Sequence, residues 1–109
     1  MSADRFLEST LLSACPGLRE RWNASRGSED DLLNAVRGHV LGLCMTGRAA
    51  EFTRFTRVME RLLGEADPVL EELIRERLLG PLSLDVREAK VPEERFSPYL
   101  GPRMRVAWG

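Results

Sequence analysis

"SEDDLLNAVRGHVLGLCMTGRAAEFTRFTRVMERLLG", residues 28–64, contains two amphipathic helical patterns separated by a single glycine. The first pattern begins at Ser28, whose hydroxyl can cap the free amides of a first turn, and the three acidic residues after it complement the helix dipole. Gly47 can supply the left-handed conformation that ends many helices. The spacing therefore predicts a helix that runs to about Thr46, with a buried face formed by Leu32, Val36, His39, Val40 and Leu43.

The second pattern follows Gly47 almost at once and ends near Gly64. Its apolar residues share one side of a helix, and they are Phe52, Phe55, Met59, Leu62 and Leu63. Because the connection is so short, the two helices are expected to pair as an antiparallel hairpin.

A further helical pattern precedes the hairpin, and Pro16 interrupts it. The stripe comprises Leu7, Leu11, Cys15, Leu18 and Trp22. Either the helix kinks at Pro16, or a first helix ends near Cys15 and a short second helix starts with the proline in its first turn. Residues 23–30, "NASRGSED", are then predicted to form a loop.

A fourth helix is predicted after the hairpin, with Asp67 as its N-cap and Pro68 in its first turn. Gly80 and Pro81 are expected to end it. Residues 82–95 are rich in charge, so we expect a mostly irregular crossing with one short helix after Pro92.

The predicted fold class is all-α. The only strand-like pattern is "LSLDV", residues 82–86, and a lone strand would have nothing to pair with. We expect a bundle of four to five helices arranged as antiparallel hairpins, with an extended C-terminal segment packed on it. Residues 1–109 would form one helical domain.

Composition narrows the class of protein. Hydrophobic residues make up 43% and charged residues 30% of the chain, and the formal net charge is -1. This balance is typical of a globular protein and argues against a surface built wholly for nucleic acid or anionic lipid. The N-terminal stretch has no basic leader and no apolar span, so we expect a cytoplasmic protein that does not enter a membrane.

The residues needed for catalysis or metal binding are scarce. The chain has one histidine and two cysteines, whose spacing matches no metal-ligand pattern, and it has no glycine-rich phosphate loop. We therefore expect no catalytic residue, cofactor or metal, and no enzymatic activity. His39 is expected to be a core histidine satisfied by a carbonyl or carboxylate, the alternative being the general base of a small enzyme.

The second helix of the hairpin carries a basic stripe opposite its phenylalanines, formed by Arg54, Arg57 and Arg61. A nucleic-acid-binding helix can have this appearance. Glu51 and Glu60 lie within one turn of these arginines and can neutralise part of the stripe. A solvated surface, a protein contact and a nucleic-acid contact all stay open.

The C-terminal stretch "RFSPYLGPRMRVAWG", residues 95–109, contains Tyr99 and Trp108. Each ring can bury a large area while keeping one polar atom at the rim. The stretch is interpreted as a clamp on the helical body, with partner recognition as the alternative because tyrosine, tryptophan and arginine are enriched at interface hot spots.

Residues 48–109 resemble a family of small uncharacterised bacterial proteins, in which a helix of this type precedes an aromatic residue, a Tyr-Leu-Gly-Pro step and a tryptophan. Here the motif comprises Phe96, Tyr99, Leu100, Gly101, Pro102 and Trp108. The resemblance implies an all-helical fold and a likeness to immunity-like proteins, and it carries over no activity.

Together these observations favour a non-enzymatic protein-binding module of immunity or adaptor type. Its expected partner is another protein, a homodimer is allowed, and nucleic acid is not favoured. The candidate partner surface comprises Tyr99, Trp108, Arg54, Arg57 and Arg61. Two alternatives are a DNA-binding regulator that uses the arginine stripe and a small enzyme that uses His39.

Overall fold

The computed structural model describes residues 3–22 and 28–108, with side chains from residue 6 onward. All regular structure in these ranges is helical, so the all-α prediction is confirmed. The α-helices are α1 (Ala3–Ala14), α2 (Pro16–Arg19), α3 (Glu29–Thr46), α4 (Ala49–Glu65), α5 (Pro68–Ile74), α6 (Gly80–Glu88) and α7 (Pro102–Trp108). Most of the loop predicted between Trp22 and α3 lies outside the described residues.

The predicted starts and ends of the central helices are confirmed. Ser28 and Asp31 form a capping box at the start of α3, and Gly47 ends the helix with φ 71°. The Asp67 carboxylate accepts a hydrogen bond from the amide of Leu70 at the start of α5. Short polar side chains and one glycine therefore set these boundaries by local chemistry.

Pro16 separates α1 from α2 rather than kinking one long helix. Cys15 leaves the helical region, with φ -128° and ψ 75°, and Pro16 then starts α2. Proline is well tolerated at this position because the first amide of a helix has no intrahelical partner. Of the two alternatives left open by the sequence, the structure has the second, two separate helices.

Gly80 and Pro81 do not end the fourth helix, so that prediction is wrong. Residues 82–88 were expected to be irregular and are helical, whereas the short helix predicted after Pro92 is present as the 3₁₀ turn Glu93–Arg95. A π-helical turn, Arg75–Leu79, joins α5 directly to α6. The amide of Gly80 donates to the carbonyl of Arg75, five residues earlier. This longer register lets the chain continue helically through a proline. A Cβ at Gly80 would lie 3.0 Å from the Arg75 oxygen.

The C-terminal segment packs on the helical body, as predicted, but it is less extended than expected. Two 3₁₀ turns, Glu93–Arg95 and Ser97–Tyr99, lead into α7. Met104, Ala107 and Trp108 form the buried side of α7. Their spacing of three and four residues is that of a helix face.

One hydrophobic cluster joins all these helices. The hairpin of α3 and α4 lies at its centre, since α4 contacts α1, α3 and α7. Representative buried residues from α1 to α7 are Leu7, Leu18, Val36, Phe55, Ile74, Leu82 and Met104. None of the described helices is both long and apolar enough to cross a membrane.

Candidate functional site

Helix α4 has one buried apolar side and one side that faces solvent. Phe52, Phe55 and Met59 on its apolar side are at most 1% exposed. Arg54, Arg57 and Arg61 are exposed on the side that faces solvent. We call these three arginines the basic face.

Glu51, which was expected to neutralise part of the arginine stripe, lies in a separate polar cluster. Its Oε2 is 2.6 Å from Nε2 of His39 and accepts a hydrogen bond from the amide of Gly17 at 3.3 Å. Arg21 donates to the other ring nitrogen of His39, so that nitrogen is the acceptor and Nε2 carries the proton that is donated to Glu51. The carboxylate partner expected for this histidine is confirmed, but His39 is only partly buried and does not belong to the core, contrary to prediction.

The same contacts determine the acidity of Glu51. Burial acts to raise its pKa, but the hydrogen bonds from His39 and Gly17 and the nearby charge of Arg48 outweigh it. The pKa of Glu51 is therefore lowered from its ordinary value. The carboxylate stays ionised and fastens α2 to the hairpin of α3 and α4.

Glu60, the second acid expected to neutralise the stripe, instead caps the C-terminal helix. Its carboxylate accepts hydrogen bonds from the amides of Arg103 at 3.0 Å and Met104 at 3.1 Å. The guanidinium of Arg103 donates to it as well, at 3.3 Å. A Cβ at Gly101 would lie 2.7 Å from Cδ of Glu60, so the glycine makes room for this cap.

Glu65 lies one helical turn after Arg61 and lines a groove together with it, but no described carboxylate forms an ion pair with the basic face. The five ion pairs formed by the described side chains include none of the three arginines. Arg54 donates from Nε to the carbonyl of Ser13 at 2.9 Å, which holds it against the end of α1. Arg57 and Arg61 point to solvent.

A groove of about 330 Å³ adjoins the basic face, between α1 and α4. It is lined by Phe6, Thr10, Val58, Arg61, Leu62 and Glu65. Phe6 is 54% exposed, although a lone phenylalanine is usually buried. Arg61 belongs to both surfaces, so charge and apolar area are continuous here.

The structure separates the predicted aromatic residues from the predicted arginines. Trp108 is 4% exposed and its ring centroid lies 5.8 Å from that of Phe96. Tyr99 meets Phe52 edge-on at 5.7 Å and is half-buried. Trp108 lies in the core and Tyr99 packs against it, as expected of a clamp, and neither ring forms one surface with the arginines.

Sequence reasoning missed Phe6 and Val58. The available signal was Phe6 itself, which stands one position before Leu7 and therefore outside the apolar stripe of α1. A single exposed apolar residue is common, and only further apolar surface beside it, as Val58 beside Phe6 in the groove, indicates a site.

The two thiols are poor nucleophiles. Burial, with a contribution from Glu51, raises the pKa of Cys15 to about 12, and burial raises that of Cys44 to about 11. Both are free and buried. No group of three or more His, Cys, Asp or Glu side chains within the described part of the chain could hold a metal ion.

A family model described as a domain of unknown function, DUF7674, matches residues 9–109. The chain belongs to this family. The match covers nearly all of the helical body of this DUF7674 protein, including both the basic face and the C-terminal clamp. No curated protein and no solved structure matches the chain.

Proposed function

We propose that this DUF7674 protein is a non-enzymatic binding module that takes up an acidic segment of another protein on its basic face. An apolar side chain of that segment would enter the groove beside Phe6. The observation that carries the proposal is the engagement of Glu51 and Glu60 elsewhere in the fold, which leaves Arg57 and Arg61 without a described carboxylate partner.

Electrostatics and apolar area would act together on such a partner. Exposed charges mainly steer association and set its orientation, and their effect falls as salt rises. An exposed phenylalanine next to a groove can supply the desolvated anchor that charges alone do not. A preformed helical surface of this kind suits an immunity-type protein or an adaptor, which acts by covering its partner.

A protein segment fits this surface better than a nucleic acid does. The formal net charge of the chain is -1, so the long-range field that concentrates basic proteins on DNA is absent. The aromatic ring of Phe6 and the aliphatic side chain of Val58 form an apolar surface that an apolar side chain of the partner can cover.

Selection from a random peptide display library tests the proposal, since the library itself supplies the acidic segments. We expect the wild-type protein to enrich peptides that combine Asp or Glu with an apolar residue. Arg57→Glu should weaken their binding by about tenfold or more, equivalent to about 1.4 kcal/mol. Phe6→Ala should weaken it by a similar factor, because the anchor is lost.

Lys90→Glu is the matched control, since it changes the net charge by the same amount at an exposed residue outside the basic face. It should leave peptide binding unchanged. Enrichment of peptides without acidic residues, or equal losses for Arg57→Glu and Lys90→Glu, would contradict the proposal. Salt-sensitive binding of duplex DNA through Arg57 would replace it with the DNA-binding alternative.

A further inference from the structure

Helix α5 and the π turn after it carry an exposed acidic stripe, formed by Val69, Glu72 and Glu76. The three side chains are exposed, and Val69 is 81% exposed. They are three and four residues apart, so they follow one another along one side of the helix. The stripe thus combines two negative charges with an apolar side chain.

The cations nearest in sequence to this stripe are engaged with other carboxylates. Arg75 lies 3.9 Å from Glu71, and Arg77 pairs with Asp30 on α3. No described cation forms an ion pair with Glu72 or Glu76. Two like charges one turn apart on a helix repel each other, so an external cation would relieve that repulsion.

The acidic stripe is complementary to the basic face in charge and similar to it in spacing, and its apolar residue can meet the groove beside that face. Arg57 and Arg61 are four residues apart, as are Glu72 and Glu76, which corresponds to about 6 Å along a helix axis. If the two helices meet antiparallel, Arg61 faces Glu72 and Arg57 faces Glu76. Val69 then lies toward the groove beside Phe6.

We propose that the basic face of one copy of this chain binds the acidic stripe of a second copy. This inference rests on the proposed function, because the second copy would supply the acidic segment that occupies the basic face. The contact joins different surfaces of the two copies, so it is heterologous. The fraction of associated chains should rise with protein concentration, and the affinity should rise as salt falls.

Sedimentation velocity over a range of concentrations tests this contact in the full chain. We expect the wild-type sedimentation coefficient to rise with concentration at low salt and to stay at the monomer value at high salt. The Arg57→Glu/Arg61→Glu variant should remain monomeric at low salt, because both surfaces are then acidic. Glu72→Arg/Glu76→Arg should remain monomeric because both surfaces are then basic.

Mixing the two variants provides the decisive arm. Each surface of one variant then has a complementary surface on the other, so the mixture should associate although neither variant does so alone. A single chain with all four substitutions should associate again as the wild type does. Circular dichroism and thermal unfolding confirm that each variant is folded.

The outcomes separate this inference from the function on which it rests. A wild-type chain that stays monomeric at every concentration, or a mixture that fails to associate, overturns the self-contact. Acidic peptides that still bind such a monomer leave the proposed function standing. A chain that neither associates nor binds acidic peptides overturns both.

Discussion

The acidic and the basic residues of helix α4 differ in what their charges do. Glu51 and Glu60 each bind groups on other elements of the fold, whereas Arg57 and Arg61 bind no described side chain. An exposed Glu–Arg pair on one helix is worth only a few tenths of a kcal/mol, but a carboxylate that satisfies free amides is worth more. Acids close in sequence to a basic stripe therefore need not neutralise it.

Replacing a residue on the apolar side of α4 should have the largest effect on the free energy of unfolding. Phe52 is 1% exposed and contacts both Phe55 and Tyr99. Phe52→Ala should lower the free energy of unfolding by about 3–5 kcal/mol, because it leaves a cavity where α4 meets the C-terminal segment. Chemical denaturation measures this, and a loss below that of Glu60→Ala would contradict the ranking.

Replacing the acidic residue Glu60 should have an intermediate effect on stability. Glu60→Ala should lower the free energy of unfolding by about 1–3 kcal/mol, since two amides at the start of α7 lose their acceptor. Glu65→Ala is the control, because it removes an exposed carboxylate from the end of the same helix. Gly101→Ala should reproduce the loss by displacing Glu60. Equal stability of Glu60→Ala and Glu65→Ala would refute the cap.

Glu51 should make stability depend on pH. Because its pKa in the folded protein is lowered from the ordinary value of 4.5, its contribution is present above that value and is lost as pH falls below it. Glu51→Gln removes a group that titrates, so the variant should lose less stability than wild type over this acid range. Thermal unfolding at a series of pH values measures the difference, and parallel curves would exclude the effect.

The basic side should show the smallest effect on stability. Arg57→Glu/Arg61→Glu should change the free energy of unfolding by no more than about 0.5 kcal/mol, as expected for exposed residues without partners. Arg54 is left unchanged because it donates to Ser13. A loss comparable to that of Glu60→Ala would mean that the arginines belong to the fold.

The sequence Leu-Gly-Pro occurs at residues 79–81 and 100–102, and a comparison of the two shows which parts of the fold could be predicted. Local caps such as Ser28 and Gly47 were predictable because they act within a few residues. The prediction at Gly80-Pro81 was wrong because the π turn that accommodates it has no sequence signature as plain as a cap. Gly101 does lie in a break, between the 3₁₀ turn Ser97–Tyr99 and α7. However, α7 is capped by Glu60, which precedes Arg103 by 43 residues. Such a distant partner cannot be identified from local sequence.

The candidate site was predictable in part for the same reason. Spacing alone located the three arginines on one side of α4. It could not show that Glu51 and Glu60 bind elsewhere, since that depends on His39 and on the position of α7. The burial of Trp108 agrees with the clamp interpretation, but the helix that buries it together with Met104 was not predicted, because this segment was expected to be extended.

The most direct test of the central claim is an NMR titration of the isotope-labelled protein with an acidic peptide enriched by display. We predict that amide resonances of α1 and α4 around Phe6, Arg57 and Arg61 shift on titration, and that the shifts disappear in Arg57→Glu/Arg61→Glu. Shifts confined to α7, or equal shifts in the variant, would contradict the assignment of this surface as the binding site.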